Sequence, residues 1–538
     1  MKRAGTLRVS LMALALMIAV AALTTSLKLN ASAEKSLASV IRVTPAAPVF
    51  DDKERLAELA QRRGRVAQSI GPKSLLVMFS GEPRVYANDV AYPFRQENNL
   101  YYLTNLKQQG STLVLLPGNT QIPEILFLPK RNPAAETWTG HMYSPQEAQQ
   151  LSGVKEIWDV NEFEPFMKAL NNRQPYRPAK PENIFLSDLP ATTVMTNGNG
   201  FEPLLAAAGK NEATIYMLVP RTPDSKEYRR EQVFASDWAK TASGFSIKNV
   251  WPVFTEMRLR KSAMELRLMQ HAIDISTEAH QRAWAAAADA KWEYEVDAVM
   301  AYTFKLRNAD NWAYPDIVGC GENATTLHYE ASQGPVKPGD LLLMDVGAEY
   351  DHYTADITRT FPVNGKFSTT QAAVYQIVYD AQEAVAKASK PGATLQEVNM
   401  AGTEVVIDGL LRLGLITDRK SNQYKIWFMH GTSHWLGMNV HDVGGPAKFE
   451  PGATFTNEPG IYVRVNALDY LPFGWKTEDW EKFKAQIRPA FEKYKGIGVR
   501  IEDDMLITPD GVKWMSEALP RKLSDVEDFI AKARRQSE

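Results

Sequence analysis

The chain has 538 residues, 44% hydrophobic and 23% charged, which is enough for two or three ordinary domains and excludes extensive disorder away from the ends. A formal net charge of −2, with no basic stripe or interleaved aromatic motif, excludes nucleic acid as a partner. The only cysteine, Cys320, excludes an intramolecular disulfide; set in Val318 to Gly321 with no activating partner, it is expected to be structural.

Met1, Lys2, Arg3 and Arg8 precede the apolar run Val9 to Leu23, and Ala31, Ser32 and Ala33 close the following stretch. Residues 1–33 thus carry the basic, apolar and small-residue pattern of a secretory signal, predicting an exported protein, periplasmic or secreted. The alternative is an uncleaved membrane anchor, because the run is near the short limit for a bilayer of about 30 Å; contact with a membrane is expected only in that case. Residues 34–50, with Pro45 and Pro48, read as a linker. From Asp51 the pattern alternates: a helix to Ile70, strands Ser74 to Phe79, Thr112 to Leu116 and Ile122 to Leu128, a short helix from Pro145, and a strand Thr214 to Val219. That alternation predicts an α/β domain over residues 51–250.

A second block begins near residue 255. A long helix runs to about Ala288, with Leu266, Met269, Ile273 and Ile275 on its apolar face. Strands are predicted at Leu341 to Val346, Thr358 to Pro362, Thr454 to Thr456, Ile461 to Val465 and Val499 to Ile501, with helices at Ser368 to Lys390 and Leu395 to Leu413. This is a mixed α+β domain over residues 255–520.

Asp345, Asp356, His434, Glu458 and Glu502 each fall where a turn meets a β-like run. Four carboxylates and one imidazole suit hard or borderline divalent ions, Mn²⁺ first, with Zn²⁺ or Co²⁺ able to compete. Two divalent ions would balance the four acids, which would otherwise repel one another and hold protons. A lone Asp at such a place usually caps a turn or pairs at the surface, Asp356 with Arg359 for example. An acid at the end of so apolar a run as Leu341 to Val346 needs a stronger partner, because a buried carboxylate is costly unless paired or metal-bound. His430, His434 and His441 put three of the chain's 8 histidines within twelve residues, and Gly431 and Gly437 argue that this stretch is a loop. Beside Glu502 stand Asp503 and Asp504, and the residues alone do not choose among the three; one or both neighbours could be solvated.

At these residues the chain resembles the pita-bread metallopeptidases, the family of methionine aminopeptidase, aminopeptidase P, prolidase and the metal-free creatinase. The resemblance implies an α/β creatinase/prolidase-like N-terminal domain followed by a pita-bread catalytic domain. It implies that Asp345, Asp356, His434, Glu458 and Glu502 hold two ions, with Asp356 and Glu502 bridging, and so selects Glu502 over its neighbours. His328 and His441 match the family's substrate-side histidines, and His328, His430, His441 and Tyr462 are expected to bind substrate. The stretch Pro93 to Thr104 looks like the N-terminal domain of aminopeptidase P and prolidase, and Ser433 to Leu436 is closer to bacterial aminopeptidase P. One departure is the segment 466–494, rich in Trp, Phe and Tyr, which separates Glu458 from Glu502 and is expected at the cleft rim or an oligomer contact.

The expected activity is that of an Xaa-Pro aminopeptidase, which releases the first residue of peptides with proline second through a hydroxide bridging two metal ions. His328 and His441 are expected to stabilise the oxyanion, Glu458 to move the proton, and Arg500 to orient neighbouring acids. The alternatives are a prolidase acting on Xaa-Pro dipeptides only and a catalytically silent peptide-binding module. The resemblance also admits a homo-oligomer.

Overall fold

The computed structural model describes residues 40–190, 192–196, 200–220, 225–241 and 243–537; the signal-like segment 1–33 lies outside the described residues. Among the described residues, one compact unit is Val49–Arg258, and the other comprises residues 259–537 together with residues 40–48.

In the first unit, Asp51 caps a helix, Asp52–Ile70, by accepting from the Lys53 and Glu54 amides, and Gly71 at φ 78° ends it. Its strands are β1 (Ser74–Phe79), β2 (Val85–Ala87), β3 (Val90–Ala91), β4 (Thr112–Leu115), β5 (Glu124–Leu128), β6 (Ile157–Asp159), β7 (Ile184–Leu186), β8 (Ala213–Met217) and β9 (Phe245–Asn249). Seven of them form one mixed sheet in the order β7-β6-β5-β4-β1-β8-β9, while β2 and β3 make a separate hairpin. Every residue of β1 is buried, which is why its sequence is a continuous apolar run rather than an alternation. The strand expected from Ile122 starts at Glu124 instead, because Asn119 Oδ1 accepts from the Gln121 and Ile122 amides and holds a turn there.

The second unit contains β10 (Asn311–Trp312), β11 (Ile317–Cys320), β12 (Leu341–Val346), β13 (Ala348–Tyr350), β14 (Tyr353–Thr354), β15 (Ile357–Pro362), β16 (Thr454–Asn457), β17 (Gly460–Tyr462), β18 (Gly498–Arg500), β19 (Asp503–Thr508) and β20 (Gly511–Trp514). They pair antiparallel as β10-β13-β14, β11-β12-β15, β16-β19-β20 and β17-β18. The helices Ala263–Ala286, Thr369–Ala388 and Leu395–Leu413 each begin with a reciprocal capping box, at Ser262/Glu265, Ser368/Gln371 and Thr394/Glu397. The unit continues past residue 520: Val526 and Ile530 of helix Leu523–Ser537 are buried, and Phe529 meets Trp284 edge-on at 5.3 Å.

Two expectations need correction. The described part of the supposed linker 34–50 is docked rather than free. Ile41 and Thr44 are buried, the Arg42 amide donates to Gln281 Oε1 at 2.6 Å, and Thr44 gives its amide and hydroxyl to Glu278 Oε2 at 2.7 and 2.6 Å. Burial alone would push the Glu278 carboxyl up, but Arg307, Thr44 and Arg282 all donate to it and hold it down at about 2. The buried acid therefore recruits the tether as one of its donors. Segment 466–494 divides: its helix Thr477–Tyr494 buries Trp480, Phe483, Ile487, Phe491 and Tyr494 in a core shared with Val374, Leu410 and Trp427, while Tyr470, Leu471 and Phe473 before it are exposed. These five buried residues, four of them aromatic, are at i, i+3, i+7, i+11 and i+14, the stripe of a core-facing helix.

Candidate active site

The antiparallel pair β12–β15 sets Asp345 opposite Thr358, and Asp356 immediately precedes β15. Glu502, in the turn between β18 and β19, is tied to the same edge. Its amide donates to the Thr358 carbonyl at 2.9 Å, and the Thr358 hydroxyl donates to its Oε2 at 2.6 Å. The loop 432–434 is laced to β16: Thr456 N to His434 O at 2.9 Å, His434 N to Thr456 Oγ1 at 3.1 Å, and Glu458 N to Thr432 O at 2.8 Å. These bonds bring His434 Nε2 to 3.3 Å from Asp356 Oδ2 and 3.6 Å from Glu458 Oε1. His434 Nδ1 lies 3.1 Å from the Trp435 carbonyl, which fixes the proton there and leaves Nε2 facing the acids. Ligating atoms of Asp356, His434 and Glu502 all fall within 4.8 Å of one another.

Asp345 joins through Arg500, which is buried on β18 and donates from Nη2 to Asp345 Oδ2 at 2.5 Å, with Nε 3.9 Å from Glu502 Oε2. Tyr314, which carried no sequence signal, donates to the other oxygen, Asp345 Oδ1, at 2.6 Å. Arg500 is therefore buried against the acids it was expected to orient. Neither neighbour of Glu502 is solvated, contrary to the open alternative. Asp503 accepts from Arg359 Nη2 at 2.6 Å, Ser516 Oγ at 2.5 Å and Gln382 Nε2 at 2.7 Å, and Asp504 Oδ2 accepts the Asp356 amide at 3.1 Å. Asp356 does not pair with Arg359 at the surface, because Arg359 is fully buried on Asp503.

The electrostatics are those of acids short of positive charge. Burial raises the Asp356 carboxyl despite its bond from His434, raises Glu458 to about 7, and raises Glu502 well above the carboxylate range, with Asp356 and Glu458 adding to the last. Burial pulls His434 down, but the Asp356 bond and the Glu458 charge outweigh it and lift the imidazole to about 9. Such a cluster either holds protons or takes up cations. Oxygen-rich donors with one imidazole fit hard or borderline divalent ions, so the residues present suit a divalent metal centre.

The substrate-side residues divide. His441 is exposed, its ring edge-on to that of His434 at 4.4 Å and 88°, and His328 is exposed within electrostatic reach of it. His430 Nδ1 lies 2.7 Å from the Gly431 carbonyl and its Nε2 2.8 Å from the Tyr462 hydroxyl, which also accepts from Arg500 Nη1 at 2.8 Å. Tyr462 is fully buried, so its expected place against substrate is corrected: its hydroxyl is committed to Arg500 and His430. Burial and the Arg500 charge lower His430 to about 4, consistent with a neutral ring in this chain of bonds. Cys320, buried on β11, is pushed up to about 12, which makes an inert thiol.

Residues 267–509 match the model of metallopeptidase family M24, and residues 59–177 match that of the aminopeptidase P N-terminal domain. An Xaa-Pro aminopeptidase of Haemophilus influenzae is 32% identical over 484 residues, spanning 88% of this chain and 97% of that protein. The chain belongs to the M24 metallopeptidase family. Within that family it follows the two-domain aminopeptidase P plan. Human Xaa-Pro aminopeptidase 3 is 29% identical over 89% of this chain and 85% of its own length. The Pseudomonas aeruginosa aminopeptidase PepP superposes with a TM-score of 0.72 at 28% identity, covering 89% of this chain and 99% of that one. Escherichia coli aminopeptidase P with the inhibitor Pro-Leu gives 0.70 at 28%, again over 89% and 99%. As an M24 metallopeptidase, the chain has its candidate divalent-metal centre in the unit that carries the family match.

Proposed function

We propose that this M24 metallopeptidase is an Xaa-Pro aminopeptidase: it removes the N-terminal residue from peptides whose second residue is proline. The observation that carries this is the convergence of Asp356, His434 and Glu502, with Glu458 and Asp345 beside them, in a chain matched over nearly the full length of a relative named for that activity. The prolidase reading is set aside on the same ground, and the silent-module reading because the acids and His434 are all in place.

Asp345, Asp356, His434, Glu458 and Glu502 would hold two divalent ions, for which Mn²⁺ suits the oxygen-rich donors best and Zn²⁺ or Co²⁺ are the alternatives. When bound, such ions lower the pKa of a water and polarise the scissile carbonyl. Arg500 and Tyr314 hold Asp345 from opposite oxygens, so that carboxylate is set before metal or substrate arrives. Glu458 takes the proton of the attacking water and passes it to the proline nitrogen, which has no hydrogen of its own until the bond breaks. His441 and His328 donate to the carbonyl oxygen as it gains charge, a contribution of about 10²–10³ in rate where such donors have been removed. Export directed by residues 1–33 belongs to the same reading, supported by their basic, apolar and small-residue order.

The test is mass spectrometry of products from the Mn²⁺-loaded protein given an Xaa-Pro dipeptide, an Xaa-Pro-Xaa peptide and a proline-free control. Release of the first residue from the longer proline peptide, and not from the control, is expected. Cleavage of the dipeptide alone would replace the proposal with prolidase, and no metal-dependent cleavage would restore the binding-module reading. N-terminal mass analysis of the protein from its native cells tests export: a chain starting near residue 34 supports cleavage, and an intact Met1 supports the anchor.

A further inference from the structure

Lys261 belongs to none of the site motifs. Its backbone is fixed where the helix Ala263–Ala286 begins: its amide donates to the Gly452 carbonyl at 2.9 Å, and Arg260 bridges to Ala453. Its Nζ lies 3.7 Å from Asp442 Oδ2, and both side chains are shut off from solvent, at 1% and 0% exposure. Asp442 directly follows His441. Its amide donates to the Trp435 carbonyl at 2.9 Å, the same oxygen that His434 Nδ1 approaches at 3.1 Å. Gly437 makes room for the pair: a Cβ there would stand 2.1 Å from Asp442 Oδ2 and 3.0 Å from Lys261 Cε.

The turn from His434 to Asp442 is therefore held at both ends, by β16 behind His434 and by Lys261 behind Asp442, while His441 projects from it against His434. Burying a carboxylate is costly without a counter-charge, and removing Lys261 takes away the cation 3.7 Å from Asp442 at the end of this loop beside His441. We propose that Lys261 is a positioning residue for peptide hydrolysis: through Asp442 it sets the ring of His441 where the reacting carbonyl oxygen develops charge. The inference rests on the role given to His441 under the proposed function. A displacement of about 1 Å in such a group costs about 10² in rate.

The experiment is a double-mutant cycle in the metal-loaded full-length enzyme, reading kcat, KM and bound metal for Lys261→Met, His441→Ala and both together on an Xaa-Pro-Xaa peptide. Lys261→Met alone is expected to lower kcat by about 10- to 100-fold, with bound metal unchanged and KM altered less than about threefold. In the His441→Ala background the same change is expected to cost less than about threefold further, because its route to the chemistry is gone. Lys261→Arg, which keeps the charge, is expected to recover part of kcat. An equal loss in both backgrounds, a loss that follows bound metal, or a parent-like kcat for folded Lys261→Met would overturn the proposal. If Lys261→Met does not fold, Lys261→Met with Asp442→Asn, which buries no charge, enters the cycle under the same criteria. A parent-like kcat for His441→Ala would remove the role of His441 and this inference with it, whereas failure of the peptidase reading itself shows as no turnover by the parent enzyme.

Discussion

Arg359 offers the sharpest test of how the site is held. It is fully buried on β15, and its guanidinium makes five bonds: Nε to Pro520 O at 2.9 Å, Nη1 to Thr358 O at 3.0 Å and Glu502 O at 2.6 Å, and Nη2 to Leu519 O at 3.0 Å and Asp503 Oδ1 at 2.6 Å. Arg359→Met keeps much of the side chain's length but leaves Asp503 a buried anion whose remaining side-chain donors among the described residues, Gln382 and Ser516, are neutral. Breaking one side of such a pair costs about 3–5 kcal/mol, a large part of the roughly 5–15 kcal/mol that holds a domain together. Adding Asp503→Asn removes the stranded charge and should return about 1 kcal/mol or more, since the one Asn oxygen can keep the bond from Gln382 Nε2 while its amide NH2 donates to the Ser516 hydroxyl in place of the bond now accepted from it. Urea unfolding of the chelator-treated proteins, followed by the fluorescence of Trp284 and the other buried tryptophans, reads both differences as shifts in midpoint at constant slope. Arg359→Met within about 1 kcal/mol of the parent, or a double variant no more stable than the single, would refute the reasoning. The same loss frees the Glu502 carbonyl, so weaker metal retention on dialysis should accompany it.

Further outcomes follow from the same geometry. Asp356→Ala should abolish metal-dependent cleavage and lower bound metal as measured by elemental analysis; full activity would remove Asp356 from the centre. Trp480→Ala, in the core rather than at a rim, should cost about 3–5 kcal/mol in thermal or urea unfolding, yet leave kcat/KM for short and long peptides unchanged at temperatures where it stays folded. Glu278 is held down at about 2 from an ordinary 4.5, so its bonds stabilise the fold fully above pH 4.5 and are lost as pH falls toward 2. Glu278→Gln should accordingly be less stable than the parent at pH 7, by about 2–3 kcal/mol, with the gap closing between pH 4.5 and 2 and the chain near Thr44 cut faster in limited proteolysis. A gap that does not change with pH would mean that the carboxylate contributes no charge-dependent stability there.

Much of this protein could be read from its sequence because its signals are local. Ser74 to Phe79 and Leu341 to Val346 are apolar runs that only a doubly covered strand explains, and Ser262, Ser368 and Thr394 announce helices through a Glu or Gln three residues on. Asp345 stood out because an acid at the end of such a run must find a counter-charge. Partner choice did not follow from the sequence, because it depends on which side chains meet once the strands have paired. Arg359 could have taken Asp356 and took Asp503, the acids beside Glu502 proved to be buried rather than solvated, and Lys261 met Asp442 across 181 residues of chain. The aromatics of helix Thr477–Tyr494 read as a surface feature while their helical spacing went unused, and residues 41–44 read as a linker because their composition says nothing of Glu278 waiting for donors. Sequence determined the elements and the kinds of ligand; the tertiary structure decided which charges are paired, because the cost of burying a charge is settled only where chain segments remote in sequence close over it.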